Sequence, residues 1–166
     1  MENKMFCFQC EQTAGCTGCT QAGVCGKSAN TARLQDELTG ALIGLARATE
    51  SNPATQNTYQ TIIEGLFTTI TNVSFDDAAI IRQIEKTNAA KEELVPGCGS
   101  CGAPCGKTED YDMQQLWNDN EDIRSLKSLI LFGLRGMAAY AYHAQMLGYQ
   151  DDEVNDFFCE GLFKIG

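Results

Sequence analysis

Residues 29 to 50 read ANTARLQDELTGALIGLARATE, and this stretch decides the fold. Its apolar residues recur at Leu34, Leu38, Ala41, Leu42, Leu45 and Ala48. Steps of three, four and seven put them on one side of a helix, so the segment predicts an amphipathic helix with a single buried stripe. The same period returns downstream. Asn52-Pro53 closes this element and opens the next, because proline suits a first helical position. A second helix is expected from about 53 to 72, with Ile62, Ile63, Leu66, Phe67 and Ile70 on one face. Ser74 is the expected N-cap of a third helix, which ends near Leu94. Asp76 and Asp77 lie in its first turn, where acids meet the positive end of the helix dipole. The fourth and longest helix is expected from about 120 to 147. Ile123, Leu126, Ile130, Leu134, Met137 and Ala141 form its core stripe, and Gly133, Gly136, Ala138 and Ala139 leave room for a second backbone. The acidic run NDNED at 118 to 122 reads as its N-terminus, capped by Asp119 or Asn120, and Gly148 as its stop. A last helix, 151 to 163, carries Val154, Phe157, Phe158 and Leu162. No segment has a strand pattern. The expected fold is therefore all-α: an up-and-down helical bundle over 29–166, packed as one domain with a cysteine-rich loop over 1–28.

Composition bounds what such a bundle does. The chain has 166 residues and is 43% hydrophobic, enough to bury a core and too much for disorder. A formal charge of −10 argues against the nucleic-acid backbone as a partner, since that needs a basic face. No run of eighteen apolar residues offers a membrane span, and MENKMFCFQC has no apolar h-region. The expected location is cytoplasmic. Thiols stay reduced there, so clustered cysteines read as metal sites rather than disulfide frameworks.

The chain holds nine cysteines, and five fall in CFQCEQTAGCTGCTQAGVCG, residues 7 to 26: Cys7, Cys10, Cys16, Cys19 and Cys25. A tetrahedral metal or an all-cysteine iron–sulfur site takes four. Two choices are open. Cys7, Cys10, Cys16 and Cys19 have the symmetric knuckles of a zinc module. Cys7, Cys10, Cys19 and Cys25 have the uneven spacing of an iron–sulfur loop. The glycines at 15, 18, 23 and 26 suit a chain wound around either.

Other chemistry-bearing residues read more plainly. VPGCGSCGAPCGK, residues 95 to 107, is a Gly/Pro-rich loop holding Cys98, Cys101 and Cys105. These form either a reduced surface loop or a second thiol site completed by Cys16 or Cys159. Cys159, among Phe157, Phe158 and Leu162, reads as a small core hydrophobe. His143, the one histidine, reads as a packed or surface residue, and Trp117 as a core or interface anchor. Arg124, Lys127 and Arg135 are placed to pair with the acids or to line a solvated helix face. There is no phosphate-binding loop and no nucleophile triad, and no catalytic residue is assigned.

MFCFQCEQTAGCTGCTQAGVCGKSANTARLQDEL, residues 5 to 38, resembles the start of the hybrid cluster proteins, also called prismane proteins or hydroxylamine reductases. EGLFTTITNVSFDDA at 64 to 78 and NEDIRSLKSLILFGLRGMAAYAYHAQMLGY at 120 to 149 resemble later parts of their N-terminal region. The resemblance implies a [4Fe–4S] cluster on Cys7, Cys10, Cys19 and Cys25, with Cys16 spare. It implies electron transfer from a redox protein donor toward a hybrid iron–sulfur–oxo cluster, where hydroxylamine is reduced. The ligands of that second cluster lie in later domains of a much longer parent enzyme, so the chain alone is expected to be inactive. The competing expectation is a redox-silent zinc module on Cys7, Cys10, Cys16 and Cys19.

Overall fold

A computed structural model of the chain describes residues 5–10, 17–70, 73–95 and 109–166. Among these residues the regular structure is six helices and no strand. They are α1 (Ala29–Ala48), α2 (Gln56–Thr68), α3 (Asp77–Leu94), α4 (Met113–Trp117), α5 (Glu121–Met146) and α6 (Asp152–Ile165). The fold is an all-α bundle, as the periodicity implies.

α1 lies at its centre and packs against α2, α3, α4 and α6. Leu38, Leu42, Ile43 and Leu45 of α1 are fully buried with Ile62, Ile63 and Leu66 of α2, Leu116 of α4, and Phe158 and Leu162 of α6. Each such side chain contributes about 2 kcal/mol by leaving water. Small residues let the chain cross α1 closely. A Cβ on Gly40 would overlap the Tyr111 carbonyl oxygen, and one on Gly44 would meet Asp110 Oδ1 at 2.8 Å. Tyr111 N–H donates to the Gly40 carbonyl at 3.1 Å, which pins the crossing segment.

Side-chain caps set the helix starts. Ser28 caps α1, accepting from Thr31 N–H. Thr55 caps α2 in a reciprocal capping box with Thr58. That cap starts α2 at Gln56 and leaves Pro53 outside the helix. Asp76, not Ser74, caps α3; the Ser74 carbonyl instead accepts from Gln35 Nε2 at 3.0 Å. Asn120 caps α5 and Asp151 caps α6. The five-residue α4, too short to show a period, had no sequence signal.

The face of α5 differs from the expected one. Its buried residues are Ser128, Leu131, Leu134, Arg135 and Ala138. Ile123 and Ile130 are exposed, and Leu126 and Leu129 are 60% and 68% exposed. α5 is apolar on two sides, so a stripe at helical spacing fits either, and contacts with α2 and α6 choose the Leu131–Leu134–Ala138 side. Nothing among the described residues lies within 4 Å of a Cβ built on Gly133 or Gly136. The close backbone approach expected there occurs on α1 instead. No helix is long and apolar enough to cross a membrane.

Candidate functional site

The cysteine segment packs on the N-terminal end of α1. Cys7 and Cys19 face each other in an isolated antiparallel bridge: Cys7 N–H donates to the Cys19 carbonyl at 3.0 Å, and Cys19 N–H to the Cys7 carbonyl at 2.9 Å. Gly18 makes the bridge possible. Its φ is +64°, and a Cβ there would meet Phe6 Cε2 at 2.8 Å and the Cys7 carbonyl oxygen at 3.2 Å. Phe6 and Phe8 both lean on Trp117, with ring centroids 5.7 and 5.6 Å away. Trp117 is thus the anchor that its composition suggested, and it ties the loop to the main core. Met5, Cys7 and Ala32 form a small second core with Cys19 and Ala29 packed against it.

Cys25 sits in a turn closed by Gly26 N–H to the Gly23 carbonyl at 2.8 Å and Gly23 N–H to the Lys27 carbonyl at 3.0 Å. That turn delivers the chain into the Ser28 cap and carries Lys27 inward. Lys27 is 2% exposed. Its Nζ donates to Gln9 Oε1 at 2.9 Å and to Cys7 Sγ at 3.8 Å. Gln9 Nε2 in turn donates to Asp36 Oδ1 at 2.7 Å. A continuous polar chain therefore runs from the Cys7 sulfur through Lys27 and Gln9 to Asp36 on α1.

Charge and burial compete along this chain. Burial pushes the Cys7 thiol up, and the Lys27 ammonium pulls it back. Burial raises the Asp36 carboxyl to about 6, against the Gln9 hydrogen bond and the two nearby cations, Arg135 and Lys27. Arg135 of α5 is only 4% exposed. Its Nε donates to Thr69 Oγ1 at 3.0 Å and its Nη2 to Thr39 Oγ1 at 3.1 Å, while Nη1 is buried with no partner among the described residues. Burial lowers its guanidinium to about 10. Gln9, Cys10 and Arg135 line one cavity of about 380 Å³, roofed by Phe132 and Ile70.

The structure thus pairs Cys7 with Cys19, sets Cys10 on a cavity wall beside Arg135, and puts Cys25 on the turn that leads to Lys27. Among the described residues no three His, Cys, Asp or Glu side chains converge on one metal-sized point. The donor chemistry nevertheless fits an anionic thiolate centre. Among the described residues Cys7, Cys19 and Cys25 form no disulfide, and one buried ammonium and one guanidinium nitrogen without a partner stand near the segment. Cys16, Cys98, Cys101 and Cys105 lie outside the described residues. Cys159 is buried, and burial raises its thiol to about 12, as a core thiol requires. His143 is exposed on α5, edge-on to Phe67 at 5.6 Å. Lys127 pairs with Asp119 at 3.7 Å.

The family model for the Prismane/CO dehydrogenase family matches residues 5–166. The chain belongs to that family. Similar relatives are hydroxylamine reductases of Methanococcus vannielii, 40% identical over 97% of this chain, of Porphyromonas gingivalis strain W83, 42% identical over 99%, and of Caldanaerobacter subterraneus subsp. tengcongensis, 39% identical over 98%. The matches cover 33%, 34% and 34% of those proteins, so the chain spans about a third of the length of the curated relatives it matches.

Sequence reasoning missed Lys27, and it set Arg135 against the acids or on a solvated face, whereas the structure buries it against Thr39 and Thr69. Lys27 is the only basic residue between Lys4 and Arg33, and Arg135 interrupts an apolar run between Leu134 and Gly136. An isolated cation in an apolar or thiol-rich stretch is the signal that finds both.

Proposed function

We propose that this chain carries one [4Fe–4S] cluster on Cys7, Cys10, Cys19 and Cys25 and acts as the electron-transfer part of a hydroxylamine reductase-like oxidoreductase. When bound, the cluster supplies one-electron transfer. The observation that carries the reading is the Cys7–Cys19 backbone bridge with the Lys27 ammonium against the Cys7 sulfur. A thiolate centre of net negative charge offsets the cost of burying that lysine; a set of ordinary core thiols does not. Family membership and the hydroxylamine reductase relatives support the reaction class.

The chain's residues have separable tasks in this reading. Gly18 and Gly26 shape the segment, Trp117 fixes it to the bundle, and the helices exclude water behind it. The loop and the helices act as one domain. The hybrid cluster belongs to later domains of the parent enzyme, and a redox protein supplies electrons in a cytoplasmic setting. The exposed apolar residues of α5, Leu126 and Leu129 among them, fit a helix that those domains cover. The chain alone has no hydroxylamine reductase turnover, and anaerobic assay of the 166-residue chain checks this.

Metal analysis of protein purified without oxygen tests the assignment. About four iron and four acid-labile sulfide per chain are expected. Appreciably more iron brings Cys98, Cys101 and Cys105 into the site. About one zinc per chain without sulfide overturns the electron-transfer reading and makes Cys16 a ligand.

A further inference from the structure

Lys27 is the most unusual residue in the fold. It is a lysine at 2% exposure, and among the described residues no carboxylate lies within ion-pair distance of its nitrogen. Its partners are a neutral amide oxygen, Gln9 Oε1 at 2.9 Å, and the Cys7 sulfur at 3.8 Å. A buried ammonium costs several kcal/mol unless an opposite charge faces it. Lysine is also a compact point charge, suited to acting on a neighbour through its field. The surroundings hold it in place. Gln9 is itself buried and locked from its far side by Asp36 Oδ1 at 2.7 Å. The backbone on either side is fixed by the Gly23–Lys27 hydrogen bond and the Ser28 helix cap. The nitrogen therefore stays aimed at one sulfur.

We infer that Lys27 is the positioning residue that sets the reduction potential at this site, its buried ammonium beside the Cys7 sulfur stabilising the negative charge that each electron adds to the centre. The inference rests on the cluster reading above. The electron comes from an external one-electron donor, and reduction adds one negative charge to the thiolate-bound centre. A fixed cation in a low-dielectric setting favours the reduced form over the oxidised one, so the potential rises. Asp36, linked through Gln9, opposes it with the other sign. The design is a cation held on the sulfur and an acid one residue further back.

The test uses the full chain purified anaerobically, with iron and sulfide counted before anything else. The potential is then read by titration against viologen mediators, following the reduced-cluster EPR signal. Lys27→Met is expected to shift the reduced-to-oxidised ratio at fixed potential by at least tenfold toward oxidised, about 59 mV for a one-electron couple. Lys27→Arg restores most of it, and Asp36→Asn shifts the ratio the opposite way. A Lys27→Met protein with full cluster content and a ratio within threefold of wild type overturns the inference and leaves the cluster reading standing. If Lys27→Met accumulates no cluster, Asp36→Asn decides: a rise in potential supports the inference, and an unchanged or lower one overturns it. A wild-type chain without iron and sulfide removes the cluster reading itself, and the inference with it.

Discussion

Gly18→Ala and Gly26→Ala differ in one physical respect, and that difference measures how tightly the cysteine segment is built. Both glycines have positive φ, +64° and +88°. An alanine at either costs about 1–2 kcal/mol from the left-handed backbone alone. At Gly26 nothing among the described residues lies within 4 Å of the added Cβ, so that strain is the whole cost counted there. At Gly18 the Cβ meets Phe6 Cε2 at 2.8 Å and the Cys7 carbonyl oxygen at 3.2 Å. Neither neighbour yields easily. The Phe6 ring is held edge-on by Trp117, and the carbonyl is the acceptor of the Cys19 N–H. Overpacking of this kind adds roughly 1–3 kcal/mol, for a total of about 2–5 at Gly18. Urea unfolding of the metal-free protein under reducing conditions measures both variants. Iron incorporation should fall in Gly18→Ala and hold in Gly26→Ala, because only the first displaces the Cys7–Cys19 bridge. Equal destabilisation of the two, within about 0.5 kcal/mol, together with equal iron content, refutes the reasoning.

Three further predictions concern other parts of the chain. Gly40→Ala should destabilise by about 2–4 kcal/mol because the Tyr111 backbone occupies the space, while Gly136→Ala, open to solvent, should stabilise by up to about 1 kcal/mol; thermal melts of the pair show it. Asp36 has its carboxyl raised to about 6 from 3.8, so its contribution to stability is complete below pH 4 and lost as pH rises through 6. That loss is on the order of 2 kcal/mol for the metal-free protein after allowance for partial exposure, and urea midpoints of Asp36→Asn across that range should lack it. Cys25→Ser should abolish iron incorporation while Cys16→Ser retains it, read by metal analysis and visible absorbance; the reverse pattern transfers the site to the zinc-type set.

How far the residues announce this structure depends on how many faces each element has. α1 shows one apolar stripe in the chain, and Leu34, Leu38, Leu42 and Leu45 are buried as their spacing implies, but residues 38–46 are buried without a break because α2, α3, α4 and α6 all pack on it. α6 keeps Phe158 and Leu162 inside but leaves Phe157 half-exposed, since neighbouring aromatics cannot both face the core. α5 is apolar on two sides, so periodicity alone cannot choose between them. Asn120 caps as its side chain suggests and Asp151 caps the last helix rather than opening it, but Ser74 loses to Asp76, its carbonyl being engaged by Gln35 from another helix. The candidate site divides the same way. Crowding of thiols between 7 and 25 is a local signal and is plain in the chain. The inward turn of Lys27 arises from contacts with Gln9 and Cys7, eighteen and twenty residues away, which spacing within a motif does not express. The burial of Arg135 follows from hydroxyls on α1 and at the end of α2, equally remote in sequence.

The Cys7–Cys19 bridge has a consequence for how such a site can be retuned. Sulfur in a cysteine loop is commonly adjusted by backbone N–H groups turned toward it. Here the amides of Cys7 and Cys19 are committed to each other's carbonyls, at 3.0 and 2.9 Å. Those two donors serve as a clasp and are withdrawn from the sulfurs. Adjustment at this end of the loop therefore falls to side chains, which a single codon change can alter while the clasp stays shut. If the segment holds the proposed cluster, it separates holding from tuning: a side-chain change alters the redox level while the clasp stays shut.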